Sequence, residues 1–282
     1  MQKYNELLRT LLEKRGITNE AEAEIFLNPD YKRDLHDPFL MRDMEHACVR
    51  LFEAIDANEK IVIYADYDCD GIPGAVILAD LFKKIGIPVE VYPHTKDFGV
   101  GVYIPQRNSE GYGLNMDSLK QFALSGVKLL ITVDLGITAV GEVAQAEVDG
   151  IDVIITDHHL PRVDASQGGH SLTLPRAYAI LNPKVDNPAK DGASYPEKML
   201  CGSGVVFKFV QGFIKKYGEY FKIKDGAEKW MLDMAGLATL SDMVPLLGEN
   251  RAIAYFGMKV LRKSPRLGLQ KLLAKMNIDQ RY

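Results

Sequence analysis

The chain has 282 residues, of which 47% are hydrophobic and 26% charged, with a formal net charge of −4. This is the balance of an ordinary globular protein of one large or two smaller domains, and it argues against a generic nucleic-acid coat. No apolar run approaches the roughly 18 residues of a membrane span, and three scattered cysteines without a CxxC pair exclude a disulfide framework and a cysteine-built zinc site.

The N-terminus, MQKYNELLRTLLEKRG, has no signal-peptide core and reads as an amphipathic helix, so the expected location is the cytoplasm. Residues 3–15 and 19–27 read as two short helices, with Thr18 or Asn19 as an N-cap. Residues 43–57 read as a third, from the spacing of Met44, Cys48, Leu51 and Ile55. The rhythm then changes. IVIYAD (61–66) predicts a buried strand, 73–86 a helix with Pro73 in its first turn, and VEVYP (89–93) a strand. A glycine-rich loop follows, then a helix over 116–125, a strand over 128–134, a helix over 137–150 and strands over 152–157 and 177–182. β-Branched apolar runs alternating with helices predict an α/β fold: an open, mainly parallel sheet with helices on both faces. Past a Pro-, Asn- and Asp-rich loop at 183–199, which reads as a hinge, the pattern is helical over 203–217, 226–240, 249–263 and 267–276. From Arg251 onward there are eight Lys or Arg and one acid, a net of +7, which leaves −11 on the rest. A basic tail behind an acidic body suits either a phosphate-backbone partner or a solvated helix face.

Three of the predicted strands end in acid. The first runs into Asp66, Tyr67, Asp68, Cys69 and Asp70; the second ends at Asp134; the third ends at Asp157, before His158 and His159. In an open parallel sheet ligands gather beyond the carboxyl ends of the strands, so these groups should meet in one crevice. Alternation of Asp66, Asp68 and Asp70 would aim all three to one side of an extended backbone. Carboxylates crowded in a partly dry crevice repel one another, and the economical compensation is a divalent cation, or two. Aspartate oxygens with histidine nitrogen and no thiolate suit Mn²⁺ or Mg²⁺. Two such ions about 3.5–4 Å apart form a phosphoryl-transfer centre. A lone Asp at a strand end is ordinarily a helix cap; the threefold repetition is what argues otherwise.

DYDCDG (66–71), ITVDLGI (131–137), TDHHLP (156–161) and LATLSDMVPLLGENR (237–251) resemble the four motifs of the DHH phosphoesterase superfamily. With EGYGLN (110–115), AILNPK (179–184) and CGSGVVFKF (201–209), the resemblance within it is strongest to the bacterial single-strand-specific DNA exonucleases. It implies metal ligation by Asp68, Asp70, Asp134, His158 and Asp242, with Asp134 bridging two ions. It makes Asp66 a supporting acid, Asp157 the group that orients the histidines, and His159 a phosphate contact or proton donor. Arg107, in YIPQRN, resembles a phosphate-gripping arginine, with a solvated loop arginine as the alternative. His94 is open between substrate contact and none, and Tyr103 and Tyr112 between base stacking and loop packing. Gly168-Gly169-His170 is a coincidental match to a motif of the family's second domain.

The implied division is an N-terminal helical segment (1–50), a catalytic domain (51–250) and basic linking helices (251–282) leading toward a second domain, with the DHHA1 and OB domains outside this chain. Their functions would be supplied by a further domain or a separate chain. The implied activity is a two-metal phosphodiesterase that trims single-stranded DNA from the 5′ end in DNA repair and recombination. Two alternatives stand beside it: a phosphatase of short oligonucleotides or nucleoside phosphates, and a non-enzymatic scaffold or catalytically weak fragment.

Overall fold

The computed structural model describes residues 1–92, 98–164, 171–187 and 195–279. Two N-terminal helices, α1 (Glu6–Glu13) and α2 (Glu20–Leu27), are capped by Asn5 and Asn19, whose side chains accept from the Leu8 and Glu22 amides. Leu12, Ile17 and Ala23 bury between them. A single turn, α3 (Tyr31–Asp34), precedes α4 (Met44–Asp56).

The α/β body then runs β1 (Lys60–Ala65), α5 (Gly71–Lys84), β2 (Val89–Val91), β3 (Val100–Tyr103), α6 (Met116–Leu124), β4 (Val127–Val133), α7 (Val140–Val148) and β5 (Asp152–Thr156). A two-stranded antiparallel ribbon, β6 (Arg162–Asp164) and β7 (Ser171–Thr173), leads to β8 (Ala179–Leu181). Four helices finish the chain: α8 (Gly202–Tyr217), α9 (Leu232–Ser241), α10 (Gly248–Leu261) and α11 (Leu267–Lys275). The second of the four predicted helices is divided, its first turn, Ala227–Met231, being a 3₁₀ helix.

The main sheet is six-stranded in the order β2-β3-β1-β4-β5-β8, and every pairing is parallel. The order departs in both directions from the β1/β4 pair, and such a reversal opens a crevice at the strands' carboxyl ends. Period-two alternation assigns the faces. Ile61, Ile63, Ala65, Leu129, Ile131 and Val133 pack with α4, α5 and α8, while Val62, Tyr64, Leu130 and Ile155 pack with α6 and α7. The fold class read from the sequence is therefore the one observed. The glycine-rich stretch after β2 holds an unforeseen strand, β3, inserted between β2 and β1. Gly99 and Gly101 had hidden its apolar rhythm.

A buried polar network ties the N-terminal segment to the helical part. Lys208 on α8 and Glu249 on α10 are both fully buried, with Nζ 2.8 Å from Oε1. Lys208 also donates to the His36 carbonyl at 2.6 Å, and the Tyr195 hydroxyl donates to Glu249 Oε2 at 2.8 Å. Removing one partner strands a charge in the core. Lys208→Met should therefore cost about 3–5 kcal/mol in urea unfolding, whereas a Lys208→Met/Glu249→Leu double variant should recover much of the loss. The same network bears on the predicted hinge. Val185, Asn187, Tyr195 and Leu200 are buried at its two ends, and residues 188–194 lie outside the described residues.

Candidate metal centre

β1, β4 and β5 are neighbours, and their carboxyl ends carry the first three acidic motifs. The strand ends at Ala65, and Asp66, Asp68 and Asp70 do not alternate along an extended backbone as expected. The chain turns at once into α5, because Asp68 Oδ1 accepts from the Asp70 and Gly71 amides at 2.8 and 2.9 Å. Helix capping wins over strand continuation, and each of the three acids ends in a different environment. Gly71 is required by this turn, since a Cβ there would stand 2.4 Å from the Asp66 carbonyl oxygen.

Asp70 is buried against the N-terminus of α8. The Gly202 and Ser203 amides donate to its two carboxylate oxygens at 2.6 and 2.7 Å. A helix N-terminus presents free N–H groups and a partial positive charge, which suit it to hold a carboxylate in this position. Asp134 lies beside it in the left-handed region, at φ 62°. Its side chain rests on Gly202, where a Cβ would come within 2.6 Å of Oδ1.

The two histidines follow β5. Asp157, almost wholly buried, accepts from the His158 amide (2.7 Å), the His159 amide (3.0 Å) and His159 Nδ1 (2.8 Å) through one oxygen, and from the Ile137 amide (2.9 Å) through the other. Burial works against its charge, but His159 and these amides prevail and hold the carboxyl below its usual range. The Asp157 hydrogen bond in turn raises the His159 pKa. His158 Nε2 stands 3.2 Å from Asp134 Oδ1 and 3.8 Å from Asp70 Oδ2, and its Nδ1 is 3.8 Å from Asp242 Oδ2. Asp242 reaches the cluster from the C-cap of α9.

These groups form two disjoint triads, Asp66/Asp68/Asp134 and Asp70/His158/Asp242, and a third set, Asp134/His158/His159, that joins them; within each, the ligating atoms lie within 4.8 Å of one another. Asp66 Oδ1 and Asp134 Oδ1 are buried with no hydrogen-bond partner. Burial, with the charges of Asp70 and Asp157, pushes the Asp134 carboxyl up to about 10. Burial likewise raises Asp66 and Asp242. Orphaned buried oxygens amid excess negative charge fit a divalent cation, and oxygen-rich sets with imidazole nitrogen fit Mn²⁺ or Mg²⁺.

The remaining candidates separate. Tyr112 is 55% exposed; its hydroxyl donates to the Asp134 carbonyl at 3.2 Å and lies 3.4 Å from His159 Nδ1. Arg107 sits over the Tyr67 ring at 4.4 Å, and its charge favours ionised Asp66. Tyr103, in contrast, is engaged in an aromatic cluster with Tyr64, Tyr92 and Phe122 and bonds to Glu110, so it packs the loop and is not free for base stacking. His94 and Gly168-Gly169-His170 lie outside the described residues. Cys69, between two of the candidate acids, is exposed. Gly202, Ser203, Asn182 and Lys184 were assigned no role from sequence, although the CGSG and AILNPK stretches that hold them had been singled out.

Fold and site together define an open α/β protein with a crevice of acids and histidines, at the carboxyl ends of its strands, suited to divalent cations. A family model described as the DHH family, N-terminal domain, matches residues 60–239, and the chain belongs to that family. It is 37% identical over 95% of its length to the single-stranded-DNA-specific exonuclease RecJ of Bacillus subtilis, and 31% identical over 97% to that of Haemophilus influenzae. It spans 29% and 44% of those two proteins, less than half of each. Among solved structures it resembles exonuclease RecJ bound to manganese, with 27% identity, a TM-score of 0.67, and coverage of 85% of this chain and 53% of that one. The resemblance carried by the four motifs thus holds. No helix among the described residues is long and apolar enough to cross a membrane.

Proposed function

We propose that this chain is the catalytic part of a two-metal-dependent phosphodiesterase acting on single-stranded DNA, which releases mononucleotides from the 5′ end. The observation that carries the reading is the pair of disjoint ligand triads joined through Asp134. Asp66, Asp68 and Asp134 would hold one ion, and Asp70, His158 and Asp242 the other; Asp134 Oδ1 lies 3.2 Å from His158 Nε2. Asp66 is thereby promoted from support to ligand. Bound ions would supply charge neutralisation at the phosphate and a water acidified toward neutral pH.

The chain's own residues do the rest. Asp157 fixes the His159 ring through Nδ1, so that Nε2 is left for the substrate phosphate or the leaving oxygen. Arg107, held over Tyr67, is placed to grip a phosphate from the Asp66 side. The exposed ring of Tyr112 offers a stacking surface beside the cluster. The substrate class is supported by the names of the curated relatives; the 5′-to-3′ direction, the role in repair and a cytoplasmic location rest on the family resemblance alone.

The test is hydrolysis of end-labelled single-stranded DNA by the 282-residue chain with Mn²⁺, beside a duplex control. Mononucleotide release, blocked by chelator, supports the reading; equal cleavage of dinucleotides and long strands favours an oligonucleotide phosphatase instead. Binding is checked separately by melting. At a hundredfold excess over Kd, Mn²⁺ should stabilise the chain by about 2.7 kcal/mol, a rise of roughly 5–10 °C. A melting curve indifferent to Mn²⁺ counts against the metal centre.

A further inference from the structure

The AILNPK stretch resembles part of the family pattern, and its structure shows what it does. β8 pairs with β5, and the Asp157 amide donates to the Leu181 carbonyl at 3.0 Å. The next residue, Asn182, is fully buried and donates from Nδ2 to the His159 carbonyl at 2.9 Å. Its Oδ1 accepts from the Lys184 amide at 2.9 Å, which folds the chain back and brings Lys184 Nζ onto the His158 carbonyl. The two histidine peptides are thus gripped on opposite sides. Asp157 takes their N–H groups, and Asn182 and Lys184 take their C=O groups. Burial pushes the half-buried Lys184 ammonium below its usual range, and the negative charges of Asp157 and Asp242 partly oppose this.

We propose that Asn182 and Lys184 are positioning residues of the metal centre, a backbone clamp that sets where the His158 and His159 rings stand. The inference rests on the metal-centre reading and deepens it. His158 stands within 4 Å of Asp70, Asp134 and Asp242, so a small rotation of its peptide shifts a member of the Asp70/His158/Asp242 triad that also faces Asp134 of the other triad. Lysine is suited here since it reaches a carbonyl with a pure donor and brings a positive charge to the acidic side of the loop.

The test uses the whole chain and Mn²⁺ alone, counted by the paramagnetic signal of the free ion. Lys184→Met should weaken Mn²⁺ binding about 10–100-fold, the usual cost of losing a partner behind a ligand. Lys184→Arg, which keeps a donor and a charge, should restore most of it, and Asn182→Asp, which sets an oxygen against the His159 carbonyl, should resemble Lys184→Met. The metal-free melting point of Lys184→Met should stay within a few degrees of the parent. Wild-type Mn²⁺ affinity in Lys184→Met overturns the clamp, as does a loss that simply follows melting temperature across the three variants. Asp134→Asn separates the two readings: if the parent chain and Asp134→Asn take up Mn²⁺ equally, or neither does, the metal-centre reading fails by itself. The clamp is then judged on the imidazole NMR signals of the metal-free protein. Displaced His158 and His159 signals in Lys184→Met support it, and unmoved signals overturn it.

Discussion

On the proposed reading, Asp134→Asn is expected to lower hydrolysis of single-stranded DNA by about 10³-fold or more, because a metal-holding carboxylate would contribute several kcal/mol of charge stabilisation and each 1.36 kcal/mol is tenfold in rate. The fold should survive. Asp134 sits at φ 62°, a conformation that asparagine tolerates far better than alanine, which makes Asn the cleaner substitution. Its carboxyl is pushed up to about 10 by burial and by Asp70 and Asp157, so the neutral amide removes a group that the metal-free fold carries at a cost. The melting temperature in chelator should therefore equal or exceed that of the parent. Full turnover by this variant would remove Asp134 from the chemistry.

Gly202→Ala should be nearly as damaging for a different reason. The added methyl would stand 2.6 Å from Asp134 Oδ1, 2.7 Å from its Cβ and 2.8 Å from its Cγ, so either the side chain or the start of α8 must yield. Overpacking of this kind costs about 1–3 kcal/mol. A displacement near 1 Å at a reacting centre costs about 10²-fold in rate. Gly204→Ala is the matched control: its methyl would meet Cys201 Sγ and Leu200 side-chain atoms at an ordinary 3.5 Å. Parallel assays of Mn²⁺ binding, melting and activity should separate the two. Equal behaviour would mean that α8 does not set the position of Asp134.

What could be read from the sequence follows from what local chemistry determines. β1, β4 and β5 are buried on both faces, so their runs of Ile, Val and Leu stand out, and the acids at their ends stand out against them. Parallel pairing then makes convergence of Asp66, Asp134 and Asp157 a matter of geometry. β3 was lost because four residues containing a glycine carry too little rhythm. The tilt of the three early aspartates was misread because Asp68 caps α5, a competition between strand and helix that spacing does not decide. The α8 amides on Asp70 join residues far apart in the chain, as do the Asn182 and Lys184 contacts to the histidine loop. Such contacts leave no local trace beyond a helix start with two glycines and a short polar run after a strand. Asp242 was assigned through the family pattern alone, since a helix C-cap acid has no signature of its own.

The dependence of Asp70 on α8 has a consequence for biosynthesis. Residues leave the ribosome from the N-terminus, and domains generally begin to fold in that order. The first three acidic motifs are therefore exposed well before Gly202 and Ser203 can donate to Asp70. Until then the crevice is an assembly of mutually repelling carboxylates without its main internal counterweight, and Asp242 is later still. A nascent chain paused before α8 should be a weak chelator and readily cleaved by proteases. The proposed ion-binding centre would therefore be completed only after α8 and α9 have emerged, well after its first three acidic motifs.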